Sequence, residues 1–407
     1  MKRNNCIICG SKKLTKILDL GSHPYADTFL SEEDHNNMLP VYNLSCVMCK
    51  ECKHIQTESI TNPSERYNLF DYSYTSSNSS TSRNHWDNFC KSIVDKLSLD
   101  KESKICEIGS NDGYLLSQFR KRLGNKIFGI DASKSMCDIA NKNGILTKCC
   151  IFNKTEASNF VDNYGEFNLV IANNVYNHSD DPVSFTEGAN QLLKEGGFFV
   201  FEVPYWKSTI DSKKIDQVYH EHVSYFTVRS LSNLLAMCGF RMEHVTVVDY
   251  HGGSLRVIAR KSHQTNNSVE IEDMIKKEEY LFVEDLYENL SKELKRKKTA
   301  FLSKILNYKT SGYKIVAIGA AAKGNTLLNY LNLNNTIVDY ITDASEFKQG
   351  KRSPLSNIEI FSDDKISASD KVCAIILSWN LSESIKKKIK KLNSKIEYIN
   401  FYEQEII

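Results

Sequence analysis

Two groups of residues have the types and spacing that chemistry needs. The first is Glu107-Ile108-Gly109-Ser110-Asn111-Asp112-Gly113, followed further on by Asp131. Lys104-Ile105-Cys106 before the run reads as a short buried strand, and Tyr114 to Phe119 after it has helical spacing. Gly109 and Gly113 let the backbone turn sharply and approach a ligand. Lys126 to Ile130 then forms a second strand ending in Asp131, whose carboxylate can accept hydrogen bonds from both ribose hydroxyls of an adenosine. A nucleotide-type cofactor meets a parallel sheet at such a turn. A ligand-free turn in an α/β domain would show similar glycines.

The second group is four cysteines in two Cys-x-x-Cys pairs, Cys6/Cys9 and Cys49/Cys52. Each pair presents two thiolates from a tight turn, and together they complete a tetrahedral zinc site. Cys46 offers an alternative partner for Cys49, but Cys49-Lys50-Glu51-Cys52-Lys53 matches the knuckle Cys6-Ile7-Ile8-Cys9-Gly10 better. A redox pair and unligated buried thiols are the competing readings. Four protein ligands leave no open position for water, so the expected role of the metal is structural.

The choice of cofactor rests on charge and on a missing glycine. A dinucleotide turn carries Gly-x-Gly-x-x-Gly, whereas Asn111 occupies the second glycine position here. Glu107 would repel an anionic cofactor but not the cationic sulfonium and ammonium of S-adenosylmethionine. That comparison favours S-adenosylmethionine over NAD. Glu107 then organises the turn and meets the methionine ammonium. Asn173 follows the strand Phe167–Ala172 and orients the methionine end or the acceptor. The plainer alternative is that Glu107 satisfies backbone donors and Asn173 caps a turn.

The 407 residues exceed one ordinary core, so two or three domains are expected. With 52 basic and 50 acidic side chains, the formal charge of +2 gives no case for nucleic acid or a membrane as partner. Lys386 to Lys391 reads as a solvated helix face. The polar start Met1-Lys2-Arg3-Asn4-Asn5 lacks the apolar core of a signal peptide, and no apolar run approaches a membrane span. A cytoplasmic location follows as the expectation.

Along the chain, residues 1–65 read as the zinc-binding module and 66–260 as an α/β domain with a substrate loop. Residues 261–310 read as a helical connector, and 311–407 as a second α/β domain. A helix is expected over 88–99, preceded by a run rich in serine, threonine and asparagine at 75–84 that reads as a linker or an ordered substrate loop. Strand and helix alternate from residue 104 to 203, which predicts a doubly wound sheet. Residues 242–249 and 254–259 fit an antiparallel hairpin at its edge. Lys314–Ile318, Gly319–Thr326 and Ile337–Asp343 repeat the strand, turn and acidic-ended strand in the final third.

With Val218-Tyr219-His220-Glu221-His222-Val223-Ser224-Tyr225-Phe226 a resemblance becomes specific. The chain resembles the sugar C-methyltransferases that act on nucleotide-linked keto-deoxyhexoses. The likeness runs nearly end to end, through the cysteine knuckles, Tyr72 to Ser77, the 107–113 turn and Ala172 to His178. It continues through the 218–226 motif, His251 to Arg256, Gly319 to Tyr330 and Ser378-Trp379-Asn380. It implies a class I methyltransferase (Rossmann-like) central domain using S-adenosylmethionine, an N-terminal zinc module, and a C-terminal Rossmann-like domain that helps hold the nucleotide-sugar. Asp131 stands where glutamate is commoner, and Tyr176-Asn177 replaces smaller apolar residues near His178.

The activity so implied is methyl transfer to C3 of a nucleotide-linked 4-keto-6-deoxy sugar through an enolate. An unactivated sugar C–H is no nucleophile, but a neighbouring keto group stabilises the carbanion. A base, oxyanion donors and an aligned methyl group are then required. The expected base is His222, with Tyr219 binding the enolate oxygen or sharing a proton relay. Glu221 orients a sugar hydroxyl or His222, Tyr74 closes over the sugar, and His178 is a second choice of base. A metal held by His220 and His222 lacks an obvious third ligand. The alternatives are an O- or N-methyltransferase on a similar sugar and a nonenzymatic nucleotide-sugar-binding protein. A further alternative is an NAD-dependent dehydratase or epimerase, for which no Tyr-x-x-x-Lys pair is suitably placed. A monomer or weak homo-oligomer is expected.

Overall fold

Short apolar strands separated by helices build three sheets in the computed structural model, which describes residues 1–34, 38–68, 77, 79–264, 266–368 and 370–402. Tyr74 lies outside the described residues. The first sheet is formed by β1 (Leu14–His23), β2 (Tyr42–Cys49) and β3 (Ile55–Thr57), all antiparallel neighbours. Its fourth strand comes from far along the chain and is described below.

The central sheet contains β4 (Ile105–Ile108), β5 (Ile127–Asp131), β6 (Thr147–Cys149), β7 (Phe167–Ile171) and β8 (Leu193–Pro204), all parallel. β9 (Ser224–Tyr225) leaves this domain and pairs with β3, completing the first sheet. β10 (Phe240–Val248) and β11 (Ser254–Lys261) form the expected antiparallel edge hairpin, with β11 against β8. The order β6-β5-β4-β7-β8-β11-β10 reverses direction between β4 and β7. Ligands of open α/β sheets bind at such a switch point, outside the carboxyl ends of the strands.

The flanking helices begin where the sequence can cap them. Thr227 and Ser230 form a reciprocal capping box at the start of helix Val228–Met237. Asp181 caps helix Pro182–Leu192, which has proline in its first turn. The helix expected at residue 88 starts at Ser80, because the Ser79 hydroxyl accepts the amide of Ser82. Part of the serine-rich run is therefore helical.

β12 (Lys314–Ile318), β13 (Tyr340–Thr342), β14 (Ile360–Phe361), β15 (Val372–Ile376) and β16 (Glu397–Ile399) make a parallel sheet in the order β14-β13-β12-β15-β16. The charged stretch before it divides into helices Val269–Lys276 and Glu284–Thr310. Ile271 and Ile275 of the first pack into the central-domain core. Leu290, Leu294, Phe301 and Ile305 of the second share one core with Leu18, Leu44 and Met48 of the first sheet and with Leu327 and Leu328 of the third. The first and third sheets thus share a core, which also takes in Val218 and Tyr225 of the 218–226 segment. Among the described residues no helix is long and apolar enough to cross a membrane.

Candidate active site

A cavity of about 270 Å3 opens at the carboxyl ends of β4, β5, β6 and β7. Glu107, Gly109, Asn111, Asp131, Asn173 and His178 all line it. Gly109 has φ +73°, and a Cβ there would lie 2.7 Å from Val175, so both backbone and space demand glycine. Asp131 is held by the amides of Asn111 and Ser133, each at 2.8 Å. Gly113 is placed differently. Its φ of +77° turns the chain into helix Tyr114–Leu123, and its α-carbon faces Ile145 and Ala140 instead of the cavity.

The wall is electrostatically unfinished. Glu107 is buried, its Oε2 has no hydrogen-bond partner, and burial with nearby Asp112 and Asp131 holds its carboxyl well above the usual range. Burial also raises Asp131, against the pull of its amide donors. Asn173 spends Oδ1 on the amide of Glu202 at 2.8 Å, leaving a buried Nδ2 without a partner. Ser110 Oγ is likewise buried and unpaired. A cationic ligand with a carboxylate and hydroxyls would satisfy these groups. S-adenosylmethionine has that chemistry, so the residues present fit it.

His178 links this cavity to the 218–226 motif, with its ring 5.0 Å from that of His222. Nδ1 of His222 lies 2.9 Å from the carbonyl of Gln217 and therefore carries the hydrogen. Nε2 is then the acceptor, and the Tyr219 hydroxyl sits 2.5 Å from it. Burial pushes the His222 imidazole down to about 3, which keeps it neutral. Loss of solvent, with His222 and Arg66 nearby, likewise lowers His178. The segment is fixed by the amide of Val223 on Asn177 and the amide of Thr57 on Val223, both at 2.9 Å.

Glu221 points elsewhere. Its Oε1 accepts the amides of Ala26 and Asp27 at 2.8 and 3.0 Å, so it holds a loop of the N-terminal module and makes no bond to His222. Oε2 is buried without a partner, and burial raises the carboxyl to about 7. His220 turns its Nε2 to the carbonyls of His23 and Tyr42, both at 3.2 Å, which leaves no metal pair with His222.

The sulfurs of Cys6, Cys9, Cys49 and Cys52 lie within 4.8 Å of one another. Cys6–Cys52 and Cys9–Cys49 are 3.4 and 3.6 Å apart, close to the edge of about 3.8 Å for a tetrahedron with zinc–sulfur bonds near 2.3 Å. Cys46 is buried within β2 and is not part of the cluster. The donor set fits zinc with no position left for water.

Family models match the chain in series: a zinc binding domain over residues 6–67, a methyltransferase domain over 83–245 and a C-methyltransferase C-terminal domain over 249–399. C-methyltransferase NovU from Streptomyces niveus is 26% identical over 385 residues, 94% of this chain and 91% of that protein. The order of the matched domains is that of a C-methyltransferase. A shorter likeness joins it to ubiquinone biosynthesis O-methyltransferase from Pelagibacter ubique (strain HTCC1062), 30% identical over 97 residues, 24% of this chain and 40% of that protein. Magnesium protoporphyrin IX methyltransferase from Synechocystis PCC 6803, solved with bound SAM, gives a TM-score of 0.34 at 12% identity, over 44% of this chain and 79% of that chain. This C-methyltransferase uses S-adenosylmethionine as methyl donor and carries a structural zinc site.

Two parts of the C-methyltransferase site escaped the sequence reading. Asp180, on the cavity rim, pairs with both Arg3 and Arg66, and Arg66 also donates to the carbonyl of His178 at 3.3 Å. The N-terminal module thereby braces the residue between cofactor cavity and motif. Asp180-Asp181 after His178 was the only local signal.

The second part is the pair Lys214 and Asp216, which meet the Trp379 motif at the seam with the C-terminal domain. Trp379 donates Nε1 to Asp216 at 2.6 Å, while Lys214 and Lys323 lie 3.8 and 4.3 Å from its ring centre. Burial lowers Lys323 to about 8, and its ammonium donates to Asn380 Oδ1 at 2.6 Å. The turn amides of Gly319, Ala320 and Ala321 are already spent on Thr342, Asp343 and Gly319. Positive charge at this seam therefore comes from the lysine side chains more than from the glycine turn.

Proposed function

We propose that the protein methylates C3 of a nucleotide-linked 4-keto-6-deoxyhexose through an enolate. The observation that carries this reading is the Tyr219–His222 pair beside His178, which lines the cofactor cavity. Oxygen or nitrogen methylation also releases a proton, but the acceptor already has a lone pair, so no base has to act before the methyl group moves. Carbon methylation needs the C3 proton removed first.

S-adenosylmethionine supplies an electrophilic methyl group. Glu107, Asn173 and Asp131 would hold its ammonium, methionine end and ribose. The Tyr219 oxygen takes the C3 proton as the Tyr219 proton passes to Nε2 of His222. The imidazolium charge this creates in a buried site is balanced by the enolate formed beside it. With the methyl donor bound, the enolate carbon would take the methyl group and release S-adenosylhomocysteine as the keto group re-forms, and His222 would return its proton to solvent through Tyr219. Glu221 fixes the loop at Ala26 and Asp27, and His178 is the alternative base. Lys214 and Lys323 offer positive charge to the diphosphate.

The test is incubation with a panel of nucleotide-linked keto-deoxyhexoses and methyl-labelled cofactor, with products read by mass and NMR. A new C3 methyl group is expected. Label on oxygen or nitrogen alone would end the carbon-methylation reading.

A further inference from the structure

Glu202, at the end of β8, is a fully buried carboxylate that the mechanism above does not use. Its Oε1 accepts Nε and Nη2 of Arg256 at 2.7 and 2.6 Å, and its Oε2 lies 2.7 Å from Nε2 of His85. Taking these charges out of water is costly, so a site that needed only packing would do better with apolar residues. Arg256 already balances the carboxylate, and the remaining oxygen asks only for a hydrogen. Nε2 of His85 supplies it, and in the neutral imidazole Nδ1 is then an acceptor.

The imidazole is held in one orientation. It stacks on Tyr250 at 3.7 Å with planes 5° apart and meets Trp86 edge-on at 4.6 Å. No described residue bonds Nδ1. The surroundings place it beside the cofactor cavity. Trp86 lines the cofactor cavity, as do Asn173 and Asn174, which are bonded to the backbone of Glu202. On the other side, Tyr250 meets the ring of His251 at 4.1 Å, the His251 carbonyl accepts the side-chain amide of Gln217, and the Gln217 carbonyl accepts Nδ1 of His222.

We infer that His85 binds the methyl acceptor, its Nδ1 taking a hydrogen bond from an acceptor hydroxyl, with Glu202 and Arg256 as positioning residues. On the proposed-function reading, on which this rests, that hydroxyl belongs to the sugar. Asn173 and Glu202 end neighbouring strands, so cofactor and acceptor are registered by one sheet edge.

His85→Phe keeps a flat ring on Tyr250 but removes Nδ1. The expected result is an acceptor KM raised about tenfold, with kcat changed less than about threefold and affinity for S-adenosylmethionine unchanged. Glu202→Gln can still accept from Nε2 and should give a smaller rise. In holoenzyme labelled with 15N-histidine, the His85 Nδ1 resonance, assigned by its loss in His85→Phe, should be that of an unprotonated nitrogen and should move when a nucleotide-linked keto-hexose is added. A folded His85→Phe with wild-type KM overturns the inference, as does a parallel loss of cofactor binding or a protonated Nδ1. Failure of wild type to methylate any keto-hexose instead overturns the sugar reading, and the nitrogen resonance still decides whether His85 is an open acceptor.

Discussion

Asp343 is placed in the C-terminal sheet as Asp131 is in the central one. Asp131 accepts the amides of Asn111 and Ser133, both at 2.8 Å, and Asp343 accepts those of Ala320 and Ser345 at 2.7 and 2.8 Å. The same strand-end acid thus closes two turns, but the cofactor cavity lies at the first. At the second, a Cβ on Gly319 would meet Ser378 Oγ at 2.3 Å, and Lys348 donates to the carbonyl of Ala320 at 2.6 Å.

One S-adenosylmethionine per chain is therefore expected by calorimetry. Asp131→Ala should weaken binding at least about tenfold, as a charge-assisted hydrogen bond is worth roughly 1.5–3 kcal/mol. Asp343→Ala should leave the affinity unchanged. Equal losses in both variants, or two sites in wild type, would reject this assignment.

Elemental analysis should give one zinc per chain. Cys9→Ala and Cys49→Ala should lose the metal and unfold at lower temperature, because binding energy at a four-thiolate site is folding energy. Cys46→Ala should keep its zinc, since Cys46 lies outside the cluster. Properly folded protein without metal would contradict the site.

His222→Asn and Tyr219→Phe should each abolish methyl transfer while retaining cofactor affinity. With S-adenosylhomocysteine bound, wild type should exchange the substrate C3 hydrogen in deuterated water, and neither variant should. Exchange at the wild-type rate in His222→Asn would move the base to another residue, with His178 the first to test.

Glu221 sets a pH dependence whose direction can be worked out. Its carboxyl is raised from 4.5 to about 7, so the folded state holds a proton that the unfolded chain releases earlier. The stability contributed by neutral Glu221 is fully present below pH 4.5 and is lost as the pH rises through about 7. Glu221→Gln, which copies the neutral acid, should match wild type near pH 4.5 and melt a few degrees higher at pH 8. A Tm difference independent of pH would show that the group is not titrating in this window.

Much of the local structure was legible because it depends on neighbouring residues. The strand, turn and acidic-ended strand at 104–131, the hairpin at the sheet edge and the paired cysteine knuckles all follow from spacings of a few residues. The preference for Cys52 over Cys46 came from comparing two short motifs, and it is the set whose sulfurs meet. The helix start was misjudged by eight residues because the capping action of Ser79 looked like linker composition.

What only the tertiary structure decided is the direction in which each side chain faces. Glu221 and His222 are adjacent in sequence, yet one holds Ala26 and Asp27 while the other meets Tyr219. Gly113 belongs to the same run as Gly109 but packs on Ile145. His85, Glu202 and Arg256 come from a helix and two strands, with no spacing in the chain to connect them. By itself the sequence determined which residues could do chemistry, because propensities and turn requirements act over a few residues. Their grouping was decided by the burial of sheet faces and by one core shared between the two ends of the chain, where the contacting atoms lie hundreds of residues apart.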